Sequence, residues 1–211
     1  MLAKSAPLRL MIYDRTCRGR RGLPGLSHAW ITGALLYRGL GRFDATRGVT
    51  TWTEALDWLA SFGDRPIASI QYWGHGKWGS ARVADEALDA DALRPGHPYY
   101  PRLKAIAARL LPDAASLWWF RTCETLGAVP GQTFAQAWSE FFDARVAGHT
   151  YIIGPWQSGL HSLAPGEAPT WSADEGLAPG EDPAAPRQAL WSRRRHPNTI
   201  HCLNNVIPSG Y

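Results

Sequence analysis

Cysteine is scarce in this chain and odd in number, with Cys17, Cys123 and Cys202 far apart along 211 residues. Three widely spaced thiols exclude a disulfide framework and favour a reducing compartment. Long apolar runs are missing as well. No window approaches the roughly twenty apolar residues that a helical span requires. The opening Met1-Leu-Ala-Lys-Ser-Ala-Pro7 has no extended apolar stretch, so a cytoplasmic chain without a secretory leader is expected. Charge is modest, with 22 Lys and Arg against 18 Asp and Glu, a balance that permits an anionic partner without demanding one. Neither CxxC nor HxxxH spacing occurs, which argues against a zinc site despite His196, His201 and Cys202. Asp85, Glu86, Asp89 and Asp91 lack the glycine-punctuated loop of a calcium site. The segment Gly19 to Gly25 has neither the GxGxxG pattern nor the Gly-Lys-Ser/Thr ending of a phosphate cradle. No internal repeat is visible. No metal and no cofactor is therefore expected.

Aromatic residues are abundant. Eleven tryptophans and 45% hydrophobic residues are far too many for a disordered chain, so a packed core is required. Tyr99-Tyr100 and the tryptophans are read as core and pocket walls, and nucleic acid is not expected as a partner. Two arginine clusters, Arg15, Arg18, Arg20 and Arg21 in one loop and Arg193 to Arg195 in another, are read as solvated surface.

Periodicity sets the elements. Leu8 to Asp14 is a buried strand. Leu26 to Leu40 is a helix entered through Ser27, and Thr51 to Phe62 a second, capped by Thr51 or Thr53. Ile67 to Trp73 is the next strand, followed by a loop to Pro101 with a hairpin or short helix near Asp85 to Leu93. Leu103 to Leu111 is a helix, Ser116 to Arg121 a strand, Gly131 to Phe142 a helix and Arg145 to Ile153 a strand. This alternation predicts an α/β fold, a three-layer sandwich around a mostly parallel sheet. Residues 1–163 form the α/β domain. Residues 164–186, rich in Pro, Ala and Gly, form a long loop or flap, and residues 187–211 an extension that adds a strand or covers an edge of the same domain. Trp118 and Trp119 are adjacent and face opposite sides of their strand, which places that strand centrally.

Two segments carry chemistry. Ile67-Ala-Ser-Ile-Gln-Tyr-Trp-Gly-His75-Gly76 and Ser116-Leu-Trp-Trp-Phe-Arg-Thr-Cys123 are apolar runs that each end in a reactive side chain among glycines. Were they neighbouring parallel strands, their C-terminal ends would meet where open α/β sheets place their sites. An imidazole beside a thiol lowers its pKa and protonates the leaving group. Gly76 lets a backbone N–H approach a reacting carbonyl, forming an oxyanion site with the N–H of Cys123.

His75-Gly76 with Gly79, and Cys123 within Arg121-Thr-Cys-Glu-Thr-Leu-Gly127, resemble the His-Gly and Cys blocks of caspase-like cysteine peptidases, the group of caspases, metacaspases, legumains, gingipains and related bacterial domains. The Gly131-Gln-Thr-Phe-Ala segment and Tyr151-Ile-Ile-Gly154 are similar to bacterial members, and the resemblance covers about Leu8 to Gly159. It implies a caspase-like fold and an endopeptidase acting on protein or peptide, with Cys123 as nucleophile, His75 as general acid/base, and Gly76 and Cys123 as oxyanion donors. It also implies substrate contacts from Asp14 or Arg15, from Arg121, and from Trp156 to Ser158. Arg121 would favour an acidic or polar substrate residue and Asp14 a basic one, unless the two pair. Thr122 stands where the family has Ala or Ser, and Leu126 adds a position before Gly127. A displaced cysteine loop would instead give a catalytically silent scaffold that binds a partner protein.

Overall fold

The computed structural model describes residues 6–19, 23–113 and 115–211. The reading of residues 1–5 as leaderless and the loop arginines Arg20 and Arg21 lie outside these. The chain opens with β1 (Leu8–Asp14), α1 (Leu26–Gly39), β2 (Ala45–Val49), α2 (Trp52–Ala60) and β3 (Ile67–Trp73). A small antiparallel sheet follows, β4 (His75–Lys77), β5 (Ser80–Val83) and β6 (Glu86–Asp89), ending in a 3₁₀ turn at Ala90–Leu93. Then come α3 (Tyr100–Ala107), β7 (Leu117–Arg121), α4 (Ala128–Phe142), β8 (Arg145–His149), β9 (Trp156–Gln157), β10 (Leu160–Leu163) and β11 (Ile200–His201).

The main sheet runs β2-β1-β3-β7-β8-β10. All strands pair parallel except β10, which lies antiparallel on β8. Pleating sends alternate residues to opposite faces. Leu8, Leu10, Ile12, Ile70, Tyr72, Trp118, Phe120 and Val146 belong to one large core with residues of α2, α3 and α4. Met11 and Trp73 pack on Ala34 and Tyr37 of α1, whereas Trp119, Ala147 and Leu160 are covered by Ile200 of the C-terminal extension. Trp118 and Trp119 are both fully buried on β7, one of the two innermost strands. Around Trp118, the rings of Phe120, Trp138 and Phe142 lie at centroid distances of 4.7 to 5.9 Å; full burial of a side chain such as Phe contributes about 1.5–3 kcal/mol.

Several boundaries differ from the periodic reading. Ser27 does not cap α1; Gly25 does, and the Ser27 hydroxyl donates to Asp14 O at 3.0 Å, bolting the helix to the end of β1. Thr51 caps α2, accepting from the Glu54 N–H. Edge strand β2, Ala-Thr-Arg-Gly-Val, has only Val49 fully buried and so carries no apolar run. Helix α3 begins earlier because Pro101 fits a first turn. It ends at Ala107, since Arg109 O accepts from Ile67 N–H and Leu110 bridges Ile67. Residues 164–186 form no regular element yet are pinned: Trp171 is buried and its Nε1–H donates to Leu126 O at 3.0 Å. β11 pairs with β9, so the extension both adds a strand and covers the sheet. Among the described residues, no helix is long and apolar enough to cross a membrane.

Candidate active site

β3 and β7 are immediate neighbours at the middle of the sheet, with Trp73 opposite Arg121. Two residues beyond each, His75 and Cys123 emerge at the same edge, both half-buried in the wall of one cavity of about 890 Å³. The parallel register therefore brings the imidazole and thiol loops together.

Glycines set the approach of the two loops. A Cβ on Gly74 would lie 2.1 Å from the Tyr72 hydroxyl, and one on Gly76 would lie 2.1 Å from Thr125 Oγ1 and 2.7 Å from Thr122 Cβ. No larger residue fits at 76 unless the loops part. Beyond Gly76, the β4–β5 hairpin is tied down where Gly79 N–H donates to Thr125 O at 2.9 Å. The cysteine loop is braced from within by the Thr122 and Thr125 hydroxyls, 2.5 Å apart. It is braced from β8 by Glu124 N–H to Tyr151 O and Leu126 N–H to His149 O, each 3.0 Å. The extra position at Leu126 does not push the loop outward: Leu126 is fully buried and its side chain lies against Gly148.

The electrostatics keep the thiol protonated. Burial pushes Cys123 up to about 11, the Glu124 carboxylate adding to the rise and the backbone N–H of Ile153 opposing it. Glu124 is itself pushed up to about 6 by burial, with Lys77 pulling the other way, and its Oε2 is buried without a partner. Among the described residues no hydrogen bond joins His75 to Cys123. The Trp30 ring of α1 meets His75 edge-on at 5.4 Å. At neutral pH this thiol is not a standing thiolate, and attack by it would need a base to take the proton.

Arg121 is 3% exposed and stands without a carboxylate among the described residues. Its guanidinium lies between the rings of Trp73 and Trp119, 4.5 and 4.7 Å from their centroids. It donates to Gln157 Oε1 through Nε and Nη2, to Cys202 O through Nη2 and to Asn204 O through Nη1.

Of the side chains expected to contact substrate, Arg121 and, within Trp156 to Ser158, Gln157 line the cavity; Asp14, Arg15, Trp156 and Ser158 do not. Asp14 is fully buried one residue past Tyr13, on the opposite sheet face from Trp73 and Arg121, and accepts from the N–H and hydroxyl of Thr16. It does not pair with Arg121. Arg15 is exposed away from the cavity. Trp156 stacks edge-on with His201 and lies under Arg194. Ser158 is buried, donating its hydroxyl to Arg193 O and receiving that of Thr199. The side chains of Trp156 and Ser158 serve the C-terminal extension instead.

Sequence reasoning missed the α1 wall of Leu26, Trp30, Leu36 and Tyr37, and the contribution of Leu203. It also missed that Cys17 and Cys202 line the cavity with Cys123, since nothing in their spacing marks it. Among the described residues no group of three His, Cys, Asp or Glu side chains is placed to hold a metal ion. No family model, no curated protein and no solved structure matches this chain.

Proposed function

We propose that this protein is a caspase-like cysteine endopeptidase that hydrolyses peptide bonds through a His75–Cys123 dyad. One observation carries the reading: the two central strands β3 and β7 deliver His75 and Cys123 in matched register to a single cavity. As Cys123 Sγ attacks the peptide carbonyl, its proton passes to the His75 imidazole, and the oxyanion is held by the backbone N–H groups of Gly76 and Cys123. The imidazolium then protonates the departing amine as the C–N bond breaks. Water, deprotonated by His75, hydrolyses the thioester and returns the thiol. This order of events suits a thiol held neutral by burial, because His75 acts as general base rather than as a resident counter-ion.

The test combines a thiol-directed electrophile with a diverse peptide library. Native protein is expected to cleave peptides and to be alkylated at Cys123 at a rate that falls in His75→Ala. No cleavage together with His75-independent labelling would sink the proposal. The high pKa of Cys123 favours one second reading, a catalytically silent scaffold that binds a partner protein through the same cleft. In that case Cys123→Ala retains the protein's biological effect.

A further inference from the structure

Among the described residues, the cavity beside Cys123 has no Asp or Glu in its wall. Its surface is built from Leu26, Trp30, Leu36, Tyr37, Trp73 and Leu203, with Arg121 at the base. Leu26 and Leu36 are 51% and 46% exposed, so the apolar surface continues outward along α1 past the mouth. Four of the five Arg121 N–H groups are committed to Gln157, Cys202 and Asn204, and its faces to two tryptophans.

We propose that this cavity selects a bulky uncharged side chain, aromatic or aliphatic, on the substrate residue that supplies the scissile carbonyl. The inference rests on the cysteine-peptidase reading and names its substrate class. A Lys or Arg side chain entering here loses its hydration, meets no carboxylate and lies near the Arg121 charge. An Asp or Glu side chain loses hydration too, and gains a bidentate charge-assisted pair only by displacing an acceptor that Arg121 already holds. An apolar side chain loses nothing on entering and buries the exposed surface of Trp30 and Leu36. At about 890 Å³ the space accommodates an aromatic ring and part of the neighbouring residue.

The experiment uses the purified full chain and peptidyl acyloxymethyl ketones that differ only in the residue bearing the electrophile: Phe, Leu, Asp or Lys. Rates are read as Cys123 modification by peptide mapping, which separates it from the neighbouring thiols of Cys17 and Cys202. The Phe and Leu probes are expected to react about tenfold or more faster than the Asp and Lys probes. A fastest Asp or Lys probe, or equal rates for all four, overturns the inference and leaves the dyad standing. Leu36→Lys, at a half-exposed site, is expected to raise the rate of the Asp probe relative to Phe, and an unchanged ratio counts against the assigned wall. Modification of Cys123 that is indifferent to His75→Ala removes the peptidase reading, and the substrate assignment with it.

Discussion

Burial rather than ion pairing governs the titrating side chains near the site. Glu124 has a left-handed φ of 39°, adjoins Cys123 and is raised to about 6. A raised carboxyl stabilises the fold fully below its ordinary value near 4.5, and that contribution is lost as pH rises through about 6. Glu124→Gln is therefore expected to raise stability by about 1–2 kcal/mol at pH 7.5 and to leave it unchanged at pH 4, as read by urea unfolding. The same variant removes a negative neighbour of Cys123, so its alkylation at fixed pH is expected to speed up. His149 behaves oppositely. It is fully buried, its Nε2 has no partner, and burial followed by the Arg121 charge pulls it down to about 3. A depressed histidine stabilises the fold above its ordinary 6.5 and progressively less as pH falls toward 3. Between pH 6.5 and 5 the expected loss is about 2 kcal/mol, a slope that His149→Gln flattens in the same unfolding assay.

At the level of elements, the site depends on two loops touching rather than on any one strand. The β4–β5 hairpin rests on the cysteine loop through Gly76, the Gly79 N–H and the paired Thr122 and Thr125 hydroxyls. Thr122 is thus no neutral replacement for a small residue, because its side chain forms the surface on which Gly76 sits. Gly76→Ala places a methyl 2.1 Å from Thr125 Oγ1. It is expected to destabilise the protein by about 1–3 kcal/mol, the range of overpacked cores. It is also expected to abolish the His75 dependence of Cys123 alkylation, since the hairpin carrying His75 must lift. Retained His75 dependence with full stability would mean that the loops do not need this contact. The irregular segment of residues 164–186 supports the same loop from the other side, through the Trp171 indole on Leu126 O and the Gln132 amide on Trp171 O, the latter 2.7 Å.

Over the whole molecule, the C-terminal extension is part of the core layer. Ile200 seals Trp119, Ala147 and Leu160, and the carbonyls of Cys202 and Asn204 join Gln157 Oε1 as acceptors for a guanidinium that has no carboxylate partner among the described residues. Removing one partner of a buried charge leaves the other uncompensated and typically costs about 3–5 kcal/mol. A chain ending at Asn198 is therefore expected to unfold at markedly lower urea concentration than the full chain. If Arg121→Met is added to the truncation, part of that loss is expected to be recovered, because the buried charge goes with it. Equal stability of the full and truncated chains would show that the extension is peripheral.

The alternation of apolar runs with amphipathic helices was enough to place β1, β3, β7, β8, α2 and α4, because both faces of a central strand must be covered and the helices must turn one stripe inward. That His75 and Cys123 would emerge at one sheet edge was equally legible, as each closes an apolar run with glycines beside it. Edge strand β2 was not, since Thr46, Arg47 and Gly48 face a half-solvated margin that imposes no apolar pattern. Nor were the walls of the cavity. Leu36 and Leu203 reach it from opposite ends of the chain, and the role of Arg121 depended on whether Asp14 shared its sheet face. Pleating and strand register put them on opposite sides, and the carbonyls that replaced Asp14 come from residues over eighty positions away. Local periodicity dictates which residues are buried; which buried residues meet depends on how the sheet is ordered and where the last segment returns.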